Sequence, residues 1–269
     1  MREVSHTSIL TPRVRRLAAI FGLSLRGPRR GQGFASSMGH MAKRGDRGEL
    51  GLRVSVAVGT LRKLIAPGVV VLVTGPSGGG KSTLLRLLCG VLVPEGFRVV
   101  TGTDGARGGC GMGRVGRAAS IVDRLARESG RGDAGALDAM AAAGLAEATL
   151  LVRCEQELSD GQRARFALAR AMAACSRARR PTCLIVDEFA STLDAATASS
   201  LSASVSRWAR ARGVACVLAT AREDVIEGLG ADVMVYVGLG AGIEVWAGSQ
   251  STKRQSTQHK EEDRLTRRG

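Results

Sequence analysis

One stretch constrains the fold of this chain more than any other, the sequence VLVTGPSGGGKSTLL at residues 71–85. The β-branched run over Gly68–Thr74 predicts a strand that is buried on both faces. A glycine-rich turn follows, and Ser82–Leu88 is typical of a helix. The turn fits the pattern GxxxxGK[ST] in the strand–loop–helix context that the pattern requires. We therefore predict a phosphate-binding loop between a buried strand and a helix.

The chemistry of this loop follows from its residue types. Backbone N–H groups of a glycine-rich turn point inward at phosphate oxygens, which a Cβ would obstruct, and the helix N-terminus adds partial positive charge. Lys81 would neutralise the β- and γ-phosphates, and the Ser82 hydroxyl would ligate Mg²⁺. The predicted nucleotide-binding residues of this segment are Gly75, Pro76, Ser77, Gly78, Gly79, Gly80, Lys81, Ser82 and Thr83.

A second cluster lies where the apolar run CLIV ends in Asp187 and Glu188. Ligands bind at the carboxyl edge of parallel sheets, so both carboxylates would lie beside the phosphate loop. Asp187 is predicted to hold Mg²⁺, and Glu188 to orient and deprotonate the attacking water. Taken alone, two acidic residues after a strand are equally typical of a solvated strand end. Their position downstream of a phosphate loop favours the catalytic interpretation.

Strands that alternate with helices predict an α/β fold with a mostly parallel sheet and flanking helices. We expect a disordered basic extension over residues 1–48, a folded domain over 49–248 with a small helical subdomain at about 104–158, and a charged tail over 249–269. Besides the strand at 68–74, the predicted strands are 52–58, 98–102, 182–187, 214–220, 232–237 and 243–247. Besides the helix at 82–88, the predicted helices are 117–128, 134–146, 160–177, 194–212 and 223–228.

The net charge of +15 is uneven, since residues 1–50 hold ten Lys and Arg against three acidic residues. Basic ends fit either solvated disorder, which we favour, or contact with nucleic acid or anionic lipid. We therefore expect residues 1–37 to be dispensable for activity.

No run approaches the roughly 20 apolar residues of a membrane-spanning helix, so a transport role would need separate membrane subunits. The six cysteines form no metal-ligand spacing, which favours reduced thiols and a cytoplasmic location.

Two further motifs indicate a family. The sequence ELSDGQR at 157–163 resembles the LSGGQ signature of the ABC-type (ATP-binding cassette) ATPases, with Asp160 in place of the first glycine. The sequence STLD at 191–194 resembles the D-loop of the same family. With the phosphate loop and the acidic pair, four motifs occur in the family's order. The resemblance covers about residues 50–248.

This resemblance implies a P-loop NTPase fold of ABC type with ATP and Mg²⁺ as cofactors. In that family two domains pair head to tail, and each ATP lies between the phosphate loop of one copy and the signature of the other. A second copy of this chain would therefore be the partner. Ser159 is also a good N-cap, and the start of its helix is an anion site. The residues that the resemblance adds to the nucleotide site are Ser159, Gly161, Gln162 and Asp194.

The chain departs from the family at three places. The family's switch histidine has no counterpart, because Ala221 or Arg222 stands there. Arg222 is either a fixed cation for the γ-phosphate, unable to shuttle protons, or a surface arginine. No glutamine lies between Gln32 and Gln156 to serve as the Q-loop residue, and no aromatic residue lies between Phe34 and the phosphate loop to stack on adenine.

These departures favour a cytoplasmic ABC-type ATPase that hydrolyses ATP as a head-to-tail homodimer and couples ATP binding to an unidentified partner. Stand-alone or acetyltransferase-fused members of the family show similar motifs. Two alternatives stay open. The first is the nucleotide-binding subunit of an ABC transporter with separate membrane subunits. The second is a nucleotide-dependent switch with negligible turnover. We do not expect nucleic acid as a partner.

Overall fold

The computed structural model describes residues 2–5, 10–26, 49–102, 119–239 and 242–248. The chain divides into two compact units. Unit 1 comprises Met1–Gly48 and Thr101–Arg179, and unit 2 comprises Glu49–Val100 and Arg180–Gly269.

The described strands are, in chain order, β1 (Arg2–Ser5), β2 (Leu23–Arg26), β3 (Val70–Thr74), β4 (Arg98–Thr101), β5 (Thr182–Val186), β6 (Ala215–Ala219), β7 (Val233–Val237) and β8 (Ile243–Ala247). The described helices are α1 (Pro12–Ile20), α2 (Glu49–Leu64), α3 (Lys81–Leu92), α4 (Ile121–Ser129), α5 (Gly132–Ala142), α6 (Asp160–Ser176), α7 (Ala195–Arg212) and α8 (Ile226–Leu229). Two 3-10 turns, Ala148–Val152 and Glu155–Glu157, lie between α5 and α6.

Unit 2 is built on a six-stranded sheet in the order β4-β5-β6-β3-β7-β8. Strand β3 pairs in parallel with β6 and β7, β5 pairs in parallel with β6, and only the β7–β8 pair is antiparallel among the pairs with a described register. Residues 70–73 of β3 are fully buried, as the continuous β-branched run predicts. The predicted α/β fold with a mostly parallel sheet and flanking helices is confirmed.

The prediction of a strand at 52–58 is wrong, because this segment belongs to helix α2. The buried residues described in this helix follow helical spacing, whereas Val56 is 66% exposed; they are Val54, Ala57, Val58 and Leu61. The apolar–polar alternation of the sequence suggested period two. Packing of α2 against α3 selects the helical stripe instead.

Every helix and strand predicted within residues 160–247 has a counterpart in the structure, and the ends of each pair differ by no more than three residues. The predicted elements at 68–74, 82–88 and 98–102 correspond to β3, α3 and β4. The helix predicted at 117–128 begins later, at Ile121, because the Ser120 side chain caps it by accepting from the Asp123 N–H. The predicted loop at 103–117 and the tail at 249–269 lie outside the described residues.

Unit 1 contains helices α4, α5 and α6, which pack on one another, together with the parallel pair β1–β2 and helix α1. Residues 10–26 therefore differ from the predicted disordered extension. Thr11 caps α1 and Pro12 opens it, and the apolar side chains of Val14 and Leu17 are buried. Helix α1 contacts α4 and the turn Ala148–Val152. Residues 27–48 lie outside the described part of the chain.

A buried carboxylate anchors α1 to α4. Asp123, only 1% exposed, accepts hydrogen bonds from the hydroxyls of Thr11 at 2.8 Å and Ser120 at 2.9 Å, and from Arg13 at 3.1 Å. A buried charge is tolerated when its oxygens are satisfied in this way. The N-terminal segment is thus tied to unit 1 by both apolar and ionic contacts.

Candidate nucleotide-binding site

The phosphate loop occupies the turn between β3 and α3. Gly75, Gly78 and Gly80 have φ angles of +133°, +81° and +103°, a backbone region that favours glycine. The Gly79 N–H donates to the Pro76 carbonyl at 3.2 Å and closes the turn. The loop therefore has the tight, left-handed course that its glycines predict.

Strand β7 packs directly against this loop. A Cβ placed on Gly75 would lie 2.2 Å from the carbonyl oxygen of Val237, and one on Gly79 would lie 2.6 Å from the same oxygen. Two of the glycines are thus required by the protein's own backbone as well as by a phosphate. The sequence contains no signal for this contact, because Val237 is distant in the chain.

Lys81 holds its ammonium group inside the loop. Its Nζ donates to the carbonyl oxygens of Gly75 at 2.7 Å and Pro76 at 2.8 Å. Helix α3 starts at the same residue, and Gly80 before it provides no side-chain cap. The N–H groups of the first turn, which a helix cannot satisfy internally, are therefore left for an anion. A cation, an uncapped helix start and glycines without Cβ atoms together fit a phosphate group.

The acidic pair lies at the same edge of the sheet. In the register of unit 2, Val186 pairs with Leu218 and Val73 pairs with Ala219. Asp187 therefore lies level with Val73, two residues before the loop begins at Gly75, with β6 between them. Two strand spacings separate the backbones of Asp187 and Val73 by about 10 Å. The acidic pair and the loop thus follow parallel strands at the same edge of the sheet, and their contact with nucleotide and Mg²⁺ stays a prediction.

Asp187 and Ser82 offer a carboxylate and a hydroxyl, oxygen ligands of the kind that Mg²⁺ takes together with phosphate oxygens and water. Among the described residues no group of three or more His, Cys, Asp or Glu side chains could hold a metal ion by itself. The donor set fits a cation that is completed by a phosphate rather than one bound by protein alone.

Glu188 has an unusual backbone conformation. Its φ angle is +52°, and that of Ala190 is +58°, both in the left-handed region that non-glycine residues rarely adopt. The Phe189 N–H between them donates to the Ala219 carbonyl at 2.7 Å, and the Phe189 side chain is buried. The Glu188 side chain itself is exposed. Strain that the surroundings enforce is typical of functional segments.

Arg222 follows β6, between the loop and the acidic pair. Its Nε donates to Asp224 at 2.9 Å, and its Nη1 donates to the carbonyl oxygens of Ala190, at 3.4 Å, and Leu193. The hydrogen bond with Asp224 raises the pKa of Arg222 and lowers that of Asp224. The guanidinium thus braces the segment that carries Glu188, a role that neither of our two sequence interpretations included.

The signature residues lie in unit 1, at the start of α6. The Ser159 hydroxyl accepts from the Gln162 N–H at 3.3 Å, and the Gln162 side chain accepts from the Ser159 N–H at 3.0 Å, a capping box. The N-cap prediction for Ser159 is confirmed. Asp160, whose side chain is 97% exposed, pairs with Arg163. The nucleotide contacts expected of Ser159, Gly161 and Gln162 stay predictions.

Asp194 is the N-cap of α7. Its carboxylate accepts from the Thr197 N–H at 2.9 Å, and hydrogen bonds with Thr197 lower its pKa. This N-cap hydrogen bond accounts for an aspartate at position 194 without any contact with a ligand. Its contact with nucleotide also stays a prediction.

Comparison with known proteins defines the class of this site. Residues 60–191 match the family model described as ABC transporter. This part of the chain is therefore similar to the ATP-binding domains of ABC transporters.

Particular relatives are bacterial. The Fe(3+) ions import ATP-binding protein FbpC of Mesorhizobium japonicum is 34% identical over 176 residues, which are 58% of this chain and 47% of that protein. The methionine import ATP-binding protein MetN of Xanthomonas euvesicatoria pv. vesicatoria is 32% identical over 194 residues, 65% of this chain and 56% of that protein. The chain thus spans about half the length of the curated relatives it matches.

A solved structure shares the fold. The structure of cbiO1 from Clostridium perfringens, part of the ABC transporter complex cbiONQ, is similar with a TM-score of 0.52 and 20% identity, and the match covers 76% of this chain and 86% of that one. No described helix of the present chain has the length and apolar character needed to cross a bilayer.

Proposed function

We propose that this chain binds ATP with Mg²⁺ and hydrolyses it. One observation carries the proposal: the Lys81 ammonium lies inside the glycine loop, at the sheet edge that also holds Asp187 and Glu188. A cation, an uncapped helix start and a pair of carboxylates at one edge suit phosphoryl transfer to water.

The residues divide the chemistry among them. Lys81 and the loop N–H groups offset the negative charge that develops on the transferred phosphoryl group. Ser82 and Asp187 hold Mg²⁺, which supplies a further positive charge to the phosphates when bound. Glu188 accepts a proton from the attacking water, and its exposed carboxylate is accessible to that water. Arg222 keeps the Glu188 segment in place.

We further infer that the working form is a head-to-tail dimer. Ser159, Gly161, Gln162 and Asp194 of a second copy would complete each nucleotide site. Ser159 and Asp160 are exposed at the start of α6, which leaves this helix end accessible to a ligand. The signature sequence and its order relative to the other motifs support this arrangement.

For the particular role, we propose the nucleotide-binding subunit of an ABC transporter that works with separate membrane subunits at the cytoplasmic face of a membrane. The import ATP-binding proteins among the relatives support this role over the stand-alone homodimer. The stand-alone ATPase with an unidentified partner is the second candidate. The lack of a glutamine between Gln32 and Gln156 favours it, because the family's Q-loop residue lies in that interval.

The chemical proposal is tested with Glu188→Gln. We expect turnover to fall about a hundredfold or more, because the general base is lost while the phosphate loop is intact. With ATP and Mg²⁺ this variant should sediment as a dimer. Glu227→Gln, which removes an exposed acid on α8, is the control and should hydrolyse ATP normally. A Glu188→Gln protein that stays monomeric under these conditions would contradict the two-copy site.

The nucleotide assignment is tested separately with Lys81→Ala, which should abolish ATP binding in an equilibrium titration. Undiminished affinity would show that the loop assignment is wrong.

The transporter role is tested by affinity purification from detergent-solubilised membranes of the source cells. Co-purification of a polytopic membrane protein supports it, and recovery of a homodimer alone supports the stand-alone ATPase.

A further inference from the structure

Unit 1 contains an open cavity of about 540 Å³ that is separate from the motifs described above. It lies where the first turn of α1, the α4–α5 connection and the end of α6 come together. Four arginines from these three segments line it, and no acidic residue does: Arg13, Arg127, Arg131 and Arg177.

The charges of these arginines are not equally available. Arg13 is ion-paired with Asp123 and Asp133. Arg127 and Arg131 are exposed, and within the described part of the chain their guanidinium groups have no hydrogen bond or ion pair. The cavity therefore presents uncompensated positive charge.

The backbone adds to this charge. Helix α5 begins beside the cavity at Gly132, and Arg131 before it provides no side-chain cap. A Cβ on Gly132 would meet nothing within 4 Å, so the space above the helix start is open. Gly130 lets the Arg177 side chain lie across the connection, with its Cδ 3.5 Å from where a Cβ would stand. Guanidinium side chains thus line the cavity beside the positive end of this helix, whose first-turn acid Asp133 is already ion-paired with Arg13 and Arg16.

We propose that this cavity binds the phosphate groups of an anionic ligand. Guanidinium forks match phosphate oxygens bidentately, and the volume falls in the range of about 300–1,000 Å³ that small-molecule sites occupy. This chemistry has two sources, a phosphorylated small molecule or a phospholipid headgroup. The inference does not depend on ATP hydrolysis by unit 2.

Helix α1 supplies a feature that separates the two sources. Ile20 and Phe21 at its end are 68% and 46% exposed. Arg13 and Ile20 are seven residues apart, so they share one face of the helix about 10 Å apart. A headgroup in the cavity would place this apolar end at the lipid surface, where such side chains are favoured.

The experiment uses the full chain with Lys81→Ala, so that the phosphate loop does not contribute. Inorganic pyrophosphate is titrated calorimetrically, and vesicles of phosphatidylcholine with or without phosphatidylglycerol are tested by co-sedimentation. The double variant Arg127→Ser/Arg131→Ser should weaken binding about tenfold or more, for pyrophosphate or for anionic vesicles according to which of the two the cavity binds. Lys63→Ser/Arg207→Ser, which removes two exposed charges from unit 2, is the matched control.

Pyrophosphate binding that is lost in the cavity variant and kept in the control supports a free phosphorylated ligand. Binding only to anionic vesicles, lost in the cavity variant and reduced by Ile20→Ser/Phe21→Ser, supports a headgroup. The proposal is overturned if neither probe binds, or if the cavity and control variants lose binding equally. A thermal melt of each variant establishes that it is folded, and Arg131→Ser alone replaces the double variant if that one does not fold.

Discussion

The guanidinium of Arg222 donates to the carbonyl oxygen of Leu193, so the residue after β6 is bonded to the segment after β5. The same group bonds to the Ala190 carbonyl and to the Asp224 carboxylate. The strained backbone at Glu188 and Ala190 is therefore braced from a neighbouring strand. A planar, permanently charged group with several donors can make all these bonds at once, which a lysine cannot.

Arg222→Ala should lower the rate of ATP hydrolysis about tenfold or more while ATP affinity changes little. The reason is that Arg222 contacts the segment of the general base and not the phosphate loop. Arg222→Lys should restore the rate only in part. Steady-state kinetics and an equilibrium nucleotide titration measure the two quantities. Arg207→Ala, an exposed arginine on α7, is the control, and an equal loss of affinity and rate in Arg222→Ala would contradict the bracing role.

Gly79→Ala should destabilise the protein and weaken nucleotide binding. The added Cβ would lie 2.6 Å from the Val237 carbonyl oxygen, so either β7 or the loop must shift. We expect a loss of about 1–3 kcal/mol in the free energy of unfolding, typical of overpacking. Gly90→Ala in α3 is the matched control, since a Cβ there meets nothing within 4 Å. It should stabilise the protein by about 0.5–1 kcal/mol. Equal melting temperatures for both variants would refute the close contact.

Asp123→Ala should detach the N-terminal segment. Removing this carboxylate leaves Arg13 and the hydroxyls of Thr11 and Ser120 without their shared acceptor, and breaking such a buried cluster costs about 3 kcal/mol. Urea denaturation measures the loss, and limited proteolysis should release residues 1–26 sooner. Glu147→Gln, at an exposed acid in the same unit, should behave as the unmodified protein.

Deletion of residues 1–37 should likewise destabilise unit 1. This revises our expectation from sequence that these residues are dispensable, because Val14 and Leu17 are buried in the unit. Unchanged stability and activity after the deletion would restore the original expectation.

Acid should loosen α1. Burial would raise the pKa of Asp133, but hydrogen bonds from Arg13 and Arg16 hold this pKa below its ordinary value. A carboxyl whose pKa is lower in the folded than in the unfolded state contributes stability that is complete above the unfolded pKa, about 3.9. That contribution is lost as the pH falls through the folded value. Protection of residues 12–20 from hydrogen exchange, expressed relative to the intrinsic exchange rate at each pH, should therefore decrease between about pH 5 and pH 2. In Asp133→Asn this protection should already be low at pH 5 and change less, and an identical pH profile of protection would exclude Asp133 as the cause.

Much of unit 2, together with the start of α6 in unit 1, was predictable because the signals are local. The strand before the loop is a continuous β-branched run, the loop has glycines at fixed spacing, and Ser159 and Asp194 are side-chain caps next to the helices they start. Capping and burial on both faces depend on residues close in the chain, so short windows of sequence contain them. These windows also contain the four motifs that indicate the family.

Two features depended on contacts between distant residues. Helix α2 was mistaken for a strand because its alternation is local, whereas the face it buries is chosen by packing against α3. Residues 10–26 appeared to be a solvated basic tail, but Arg13 and Thr11 find Asp123, more than a hundred positions away. A local charge count cannot distinguish a free arginine from one that is ion-paired across the fold.

The amino-acid order alone therefore determined the phosphate loop, the acidic pair, the helix caps and the α/β class, since each arises from neighbouring residues and backbone preferences. Tertiary packing decided that Val237 requires Gly75 and Gly79, that Arg222 braces the segment of Glu188, and that four arginines meet in one cavity. These relationships join residues from different strands and helices. Their energies come from close approach and desolvation, which exist only after the chain has folded.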